Sequence, residues 1–532
     1  MNPINAPIYE ALKKHASSRP RSFHVPGHQN GQVWQELGVA ANTSTGNTIE
    51  AFRQTYDAIM GIDVTELSST DDLHHPEAAI QEAQILAAQS FHAEATFFLV
   101  GGSTSGNLAM LLAVCDPGDL VIVQRNVHKS VINGLKLAGA TAVFVSPQRD
   151  AGSGLAVIPS LSGIEAALQR HPQAKAVFLS NPNYYGMGEQ LNRYAETAHQ
   201  YGVPLLVDEA HGAHYGQHRE FPRSAMQAGA DAAVQSTHKT LPALTMGAML
   251  HIQGNRINLD RLKQALAIVQ SSSPSFPIMA SLDISRAMMA SLQEELFQPA
   301  LAHARTFRAW LKAAKLFLQE VALTDATVSS KHDRSEMIDH TSLQRDPLRI
   351  VLHDSTGTLT GKQLQQLLEE KGCWAEMSDN VYVVLLIGIG TGDEHMERLR
   401  DSITFIHQTI ASEMEDIAPN MKRSAKEEVE NRHLSSSAVW AATALEEPVA
   451  FGGGWYRNQP SIRLPLRDAI DRRVAEMVVP YPPGIPLLYA GERLTIAMAD
   501  EIERLASGRA NFQGAVDSGM GTIAVYEEKP GG

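Results

Sequence analysis

Val203-Pro204-Leu205-Leu206-Val207 is an unbroken apolar run, and it stops at Asp208-Glu209-Ala210-His211-Gly212. A segment that is apolar at every position must be covered on both faces, which is the situation of a strand inside a parallel sheet packed between two layers of helix. Open sheets of that kind gather ligands beyond the carboxyl ends of their strands. Asp208 falls at such an end. A carboxylate there suits a metal, a nucleotide or a protonated pyridine equally well, so this stretch speaks to architecture before it speaks to chemistry.

Other short apolar runs repeat the pattern: Thr96-Phe97-Phe98-Leu99-Val100, Leu120-Val121-Ile122-Val123, Ala142 to Ser146, Ala176-Val177-Phe178-Leu179-Ser180 and Ala232-Ala233-Val234. Helical spacing fills intervals between them, as at Ile80, Ala83, Ala87 and Phe91 within Glu77 to His92. Ser162-Gly163-Ile164-Glu165 has the form of a capping box opening one such helix. The alternation predicts an α/β fold with a mostly parallel sheet covered by helices.

Two further stretches narrow the chemistry. Gln235-Ser236-Thr237-His238-Lys239-Thr240-Leu241 sets a lysine among hydroxyls and an imidazole between two candidate buried strands. That is a poor place for a solvated charge and a good one for an amine that condenses with an aldehyde cofactor. Gly101-Gly102-Ser103-Thr104-Ser105-Gly106-Asn107 follows a strand and leads into the apolar helical run Leu108 to Val114. Strand, glycine-hydroxyl loop and helix start together present backbone N–H groups and a positive dipole end to a phosphate. The loop is neither a Walker sequence nor a Gly-x-Gly-x-x-Gly dinucleotide pattern. Taken singly, Lys239 reads more readily as a capping or surface lysine, and the loop equally well as a plain turn.

In the order phosphate loop, acid-tipped strand, lysine, the chain resembles the pyridoxal phosphate (PLP) enzymes with the aspartate-aminotransferase fold, and more narrowly the bacterial Orn/Lys/Arg decarboxylase family. Phe23-His24-Val25-Pro26-Gly27-His28, Asp71-Asp72-Leu73-His74-His75-Pro76, Arg125-Asn126-Val127-His128-Lys129-Ser130, Asn181-Pro182 and Tyr481-Pro482-Pro483-Gly484-Ile485-Pro486 extend the resemblance over most of the chain. It implies a PLP fold type I large domain with a seven-stranded-type sheet, a smaller α/β domain and a C-terminal cap domain. It implies pyridoxal 5'-phosphate as cofactor and decarboxylation of a basic amino acid, whether arginine, lysine or ornithine. Lys239 then corresponds to the cofactor lysine, Asp208 to the partner of the pyridinium, His128 and Ala210 to the groups on the two ring faces, and His211 to the neighbour of the phenolic oxygen. Ser103, Thr104, Ser105, Ser236 and His238 are the accompanying donors, and His128 or Lys239 is the acid that reprotonates Cα. Glu376 and Asp379 sit where the family often has acids, and are either contacts of the substrate's distal cation or solvated loop charges. An aminotransferase, an aldolase or a catalytically silent regulatory homologue shares the same framework. The chain departs from the family pattern at Asn183 (usually Thr or Ser), Asp471 (usually Gly) and Ala490 (usually Pro).

At 532 residues the chain is too long for one core. The expected organisation is an N-terminal arm over 1–60, a PLP-binding domain over 61–304, a small α/β domain over 305–412, a linker over 413–447 and a C-terminal domain over 448–532. The segment Ala41 to Asn47 is expected to be mobile. A net charge of −14 argues against a nucleic-acid partner and agrees with a cationic substrate. Cys115 and Cys373 lie far apart and read as thiols in a reducing compartment. No signal-like segment is visible at Met1-Asn2-Pro3-Ile4-Asn5 and no apolar run approaches the ~18 residues of a membrane span, so a cytoplasmic protein without a membrane partner is expected. His211, His214 and His218 invite a zinc reading, but no acid or thiol completes the set, and no metal is expected. The fold implies a homodimer or higher homo-oligomer with active sites at the dimer interface, where the hydroxyl-rich loop Gln270 to Pro277 meets the neighbouring subunit.

Overall fold

The computed structural model describes residues 4–36, 44–150, 152–321, 343–416, 448–451, 460–481, 486–507 and 510–527. Its main sheet is built from β1 (Ala95–Leu99), β2 (Leu120–Gln124), β3 (Thr141–Val145), β4 (Ala176–Ser180), β6 (Leu205–Asp208), β7 (Ala232–Gln235) and β8 (Ala248–Ile252); the short β5 (Met187–Glu189) lies outside it. Strands β2, β3, β4, β6 and β7 run parallel, while β8 is antiparallel to both β7 and β1.

Alternate side chains of these strands enter two different cores, as the two-residue period of a strand requires. Val121, Val123, Phe144, Phe178, Leu206 and Val234 face the helices Gly102–Val114, Lys129–Ala138 and Leu259–Val269. Leu120, Ile122, Val143, Val177, Leu205 and Val207 face the helices Leu161–Arg170 and Asn192–Gln200. Burial on both sides is what makes these runs apolar at every position.

A second sheet is antiparallel: β9 (Leu318–Glu320), β11 (Arg349–Asp354), β12 (Met377–Ser378) and β13 (Tyr382–Leu386), in the order β12-β13-β11-β9. The intervening β10 (Leu343–Arg345) pairs with β5 and ties this region to the large sheet. A final strand, β14 (Val449–Ala450), pairs antiparallel with β3, so the main sheet has eight strands rather than the seven expected. The eighth comes from a segment about three hundred residues downstream, which no local pattern announces. The C-terminal residues form two hairpin-like pairings, Ser461–Pro465 with Thr522–Tyr526 and Pro480–Tyr481 with Asn511–Phe512, and the helix Ile496–Ser507. They enclose a core of their own that includes Val474, Leu488, Leu494, Ile502 and Ile523.

Several local expectations shift. Ser160, not Ser162, caps the helix Leu161–Arg170, accepting from Gly163 N–H at 3.0 Å. A reciprocal capping box does occur, but at Thr360 and Gln363. Ser44 to Asn47 are helical within Ser44–Met60, whereas residues 41–43 lie outside the described residues. The helix Asp393–Asp416 passes the boundary expected at 412; most of the expected linker, 417–447, and the Pro482 to Ile485 part of the Tyr481–Pro486 motif lie outside the described residues.

Candidate active site

Four of the parallel strands deliver polar groups to one place. Beyond β2 come Asn126 and His128; β4 ends in Ser180, β6 in Asp208, and β7 leads into the short helix Thr237–Thr240 that carries Lys239. Register sets Ser180 beside Asp208 and Asp208 beside Val234. A cavity at this carboxyl edge is lined by Ser103, Gln124, Asn126, His128, Ser180, Asn183, Tyr184, Asp208, Ala210, His211 and Lys239. A larger cavity, about 370 Å³, opens near β1 between His74, Gln84, Phe97 and Lys263, and contains none of these groups.

Asp208 is buried and held at both oxygens: Asn107 Nδ2 donates to Oδ2 at 2.8 Å and the Ala210 N–H to Oδ1 at 3.1 Å. Asn107 also donates to Ser130 Oγ at 2.9 Å. It stands on the helix Gly102–Val114, which lies so close to the sheet that a Cβ on Gly106 would come within 2.4 Å of Val234 Cγ2. His128 caps the helix Lys129–Ala138, with Nδ1 2.8 Å from Ser130 Oγ. Burial lowers the His128 imidazole below its usual range against the opposing pull of Asp208, so it is held neutral.

The Lys239 amine lies 2.9 Å from His211 Nε2 and 6.0 Å from the centre of the Tyr184 ring. Burial holds it below the usual lysine range; Arg349 acts in the same direction, and Asp208 and Glu376 oppose. His211 is buried well below its ordinary range, with Lys239 and Arg349 adding to the effect of burial.

The remaining residues singled out from sequence fall at different depths. Ser103 is on the cavity wall and its hydroxyl meets Ser236 Oγ at 2.9 Å. Thr104 is exposed on the first turn of its helix, and Ser105 Oγ donates back to Gly102 O at 2.8 Å. His238 Nδ1 pairs with Gly247 O at 2.9 Å. Glu376 is exposed on the approach to Lys239, whereas Asp379 is engaged by Tyr185 Oη at 2.5 Å and by the Val381 and Tyr382 N–H groups. Asn183 lines the cavity, but its amide closes its own loop through Ala156 O, Tyr185 N–H and Met187 N–H. Asp471 has φ +68°, a left-handed conformation that suits glycine and explains the residue usual in the family. His211, His214 and His218 point apart, to Lys239, Asp346 and Gln298.

Comparison with known proteins decides the lineage. The family model for the Orn/Lys/Arg decarboxylase major domain matches residues 6–395, and that for the C-terminal domain of the same family matches residues 456–518. The chain belongs to the Orn/Lys/Arg decarboxylase family. It is 37% identical over 99% of both chains to the uncharacterized protein YaaO of Bacillus subtilis (strain 168), and 32% identical over 99% of both chains to an arginine decarboxylase of the same organism. The fold superposes on the crystal structure of the Francisella novicida lysine decarboxylase LdcF with a TM-score of 0.79 at 21% identity, covering 99% of this chain and 81% of that one.

Membership makes this chain an amino-acid decarboxylase of the basic class with pyridoxal phosphate as cofactor, and the residues present fit that group. The cavity of this decarboxylase has an amine, a carboxylate and a hydroxyl-lined helix start, and it also holds polar atoms awaiting partners. Ser180 Oγ on the cavity wall is buried with no hydrogen bond from the protein, and so, behind Asp208, is Oδ1 of Asn107. Arg349, Asn107, Tyr184 and Ser180 were given no role from sequence. Arg349 alone left a sign there: a charge opening the otherwise apolar run Ile350-Val351-Leu352.

Proposed function

We propose that this chain removes the α-carboxylate of L-arginine, giving agmatine and carbon dioxide, with Lys239 as the cofactor-bound lysine. The observation that carries the site assignment is the convergence of Lys239, Asp208 and His128 at the carboxyl edge of three parallel strands. Bound pyridoxal phosphate supplies an electron sink for the pair left when the Cα–carboxylate bond breaks. Asp208, which accepts from Asn107 Nδ2 and the Ala210 N–H, would hold a proton on the ring nitrogen. Ser103, Thr104, Ser105, Ser236 and His238 would be the donors to its phosphate at a helix start. His128 and Ala210 would hold the two faces of the ring, and His211 would be the neighbour of its phenolic oxygen. Either His128 or Lys239, once it has taken up a proton from solvent, would return a proton to Cα. Glu376 would be the carboxylate that meets the distal cation; Asp379, engaged within its own turn, would contribute by shaping the loop.

Arginine is favoured over lysine because the relatives named arginine decarboxylase are 30–32% identical over nearly the whole chain, while those named lysine decarboxylase reach 25%. Decarboxylation is favoured over transamination by Arg349. This buried guanidinium is already bonded to His211 and to Tyr184 O, and so is not presented to a substrate carboxylate. A homodimer is part of the same reading: the helix Ser44–Met60 buries none of its residues, and Phe52, Tyr56 and Ile59 stand exposed on it. Incubating the holoenzyme separately with L-arginine, L-lysine and L-ornithine and weighing the products tests the proposal. Agmatine is expected; cadaverine or putrescine alone would refute arginine, and a keto acid would refute decarboxylation. Borohydride reduction followed by peptide mapping is expected to place the pyridoxyl label on Lys239.

A further inference from the structure

We propose that Arg349 is a positioning residue that fixes His211 as the Nε2–H tautomer, so that His211 donates to the Lys239 amine and never accepts from it. Arg349 Nη2 lies 2.9 Å from His211 Nδ1, and on the other side of the ring Nε2 lies 2.9 Å from Lys239 Nζ. A guanidinium has five donors and no acceptor. His211 Nδ1 must therefore accept, which excludes both the Nδ1–H tautomer and the imidazolium, since each would set donor against donor. The one proton of the neutral ring then sits on Nε2 and points at Lys239. An ammonium has no lone pair to receive it, so the lysine facing this ring is the neutral amine, the form that attacks an aldehyde.

Arg349 is placed to do this by its surroundings. It is 1% exposed. Its Nη1 donates to Tyr184 O at 3.3 Å, and its Nε lies 3.5 Å from Asp346 Oδ2. Asp346 is itself held by His214 at 3.1 Å and by the Leu348 N–H at 2.9 Å. The stem passes over Gly186, where a Cβ would approach Arg349 Cδ to 2.6 Å. Around Lys239 the charged and titratable groups are Asp208, Arg349, Glu376, His128, His211 and His238. Burial and Arg349 favour the neutral amine, and Asp208 and Glu376 oppose it.

The inference rests on Lys239 being the cofactor lysine, but its test does not use the cofactor. Apoprotein carrying ring-¹³C-histidine is compared by NMR with R349K and R349M, the His211 signal being assigned by its loss in H211F. Competitive acylation with peptide mass spectrometry reads the pH midpoint of Lys239 in the same samples. Wild type and R349K should show Nε2–H, because an ammonium also only donates. R349M should gain the Nδ1–H form, and its Lys239 midpoint should rise by about one pH unit toward the other lysines. Nδ1–H in wild type or R349K, or a wild-type tautomer in R349M, overturns the proposal. Should R349M fail to fold, wild type and R349K still decide. A pyridoxyl label mapped away from Lys239 would instead strike the functional reading and leave the tautomer result standing.

Discussion

Arg125, at the end of β2, and Glu492, in the C-terminal region, form a two-pronged ion pair with bonds of 2.7 and 2.9 Å, and both side chains are buried. The Arg125 guanidinium also lies over the rings of Phe144 and Tyr489, and Tyr489 donates its hydroxyl to Arg125 O. Lys129 meets Gln513 at 2.9 Å. The stretch that carries His128 is thus held at both ends by the C-terminal region.

Breaking that pair from one side leaves a buried charge alone. E492Q and E492A should therefore lose about 3–5 kcal/mol of stability, while the double variant R125M/E492M should lose much less. Urea unfolding of the three variants checks this; equal losses in single and double variants would show that packing, not the uncompensated charge, decides.

His128 faces the cavity neutral. If it delivers the proton to Cα, H128Q should lower kcat by about 10²–10⁴-fold while the pyridoxyl label still maps to Lys239. Retained kcat would assign that proton to Lys239.

At Gly106 the helix lies hard against the sheet, with Val234 Cγ2 at 2.4 Å and Leu99 Cδ1 at 2.9 Å from an added Cβ. G106A should cost about 1–3 kcal/mol and, by pushing the helix that carries Ser103 and Asn107 outward, weaken retention of the cofactor. Thermal unfolding with and without added pyridoxal phosphate separates the two effects.

A buried chain of polar groups crosses the main sheet: Thr96 to His251 at 2.8 Å, His251 to Gln235 at 3.1 Å, Gln235 to Glu209 at 2.8 Å. Burial pushes the Glu209 carboxyl up to about 8 from 4.5, against its hydrogen bonds from Gln235 and Ala225. Between those values the folded chain keeps a proton that the unfolded chain has lost, so this stabilisation is full below 4.5, falls as pH rises, and is gone above 8. Burial pushes His251 down to about 3 from 6.5, so its neutral form favours folding above 6.5 and that contribution is lost as pH falls toward 3. Each slope is at most ~1.4 kcal/mol per pH unit, and the two oppose one another between 4.5 and 6.5. From pH 6.5 to 8 only the decline from Glu209 remains, and E209Q should abolish it. Stability curves that run parallel for wild type and E209Q across that interval would contradict this account.

Strand positions, the acid at the end of β6 and the lysine after β7 were legible because they depend on local pattern. A strand buried on both faces must be apolar throughout, and a polar residue that ends it marks the sheet's carboxyl edge. The β14 pairing, the Arg125–Glu492 pair and the link from Arg349 to His211 were not legible, since each joins residues more than a hundred positions apart. The sequence by itself marked the acid, the lysine and the glycine-hydroxyl loop, but not Arg349, Tyr184 or Ser180. Only the tertiary structure decided what each group bonds to, because a hydrogen bond between distant segments leaves no periodicity in either of them, and it is those bonds that choose the proton on His211 and the state of the amine it faces.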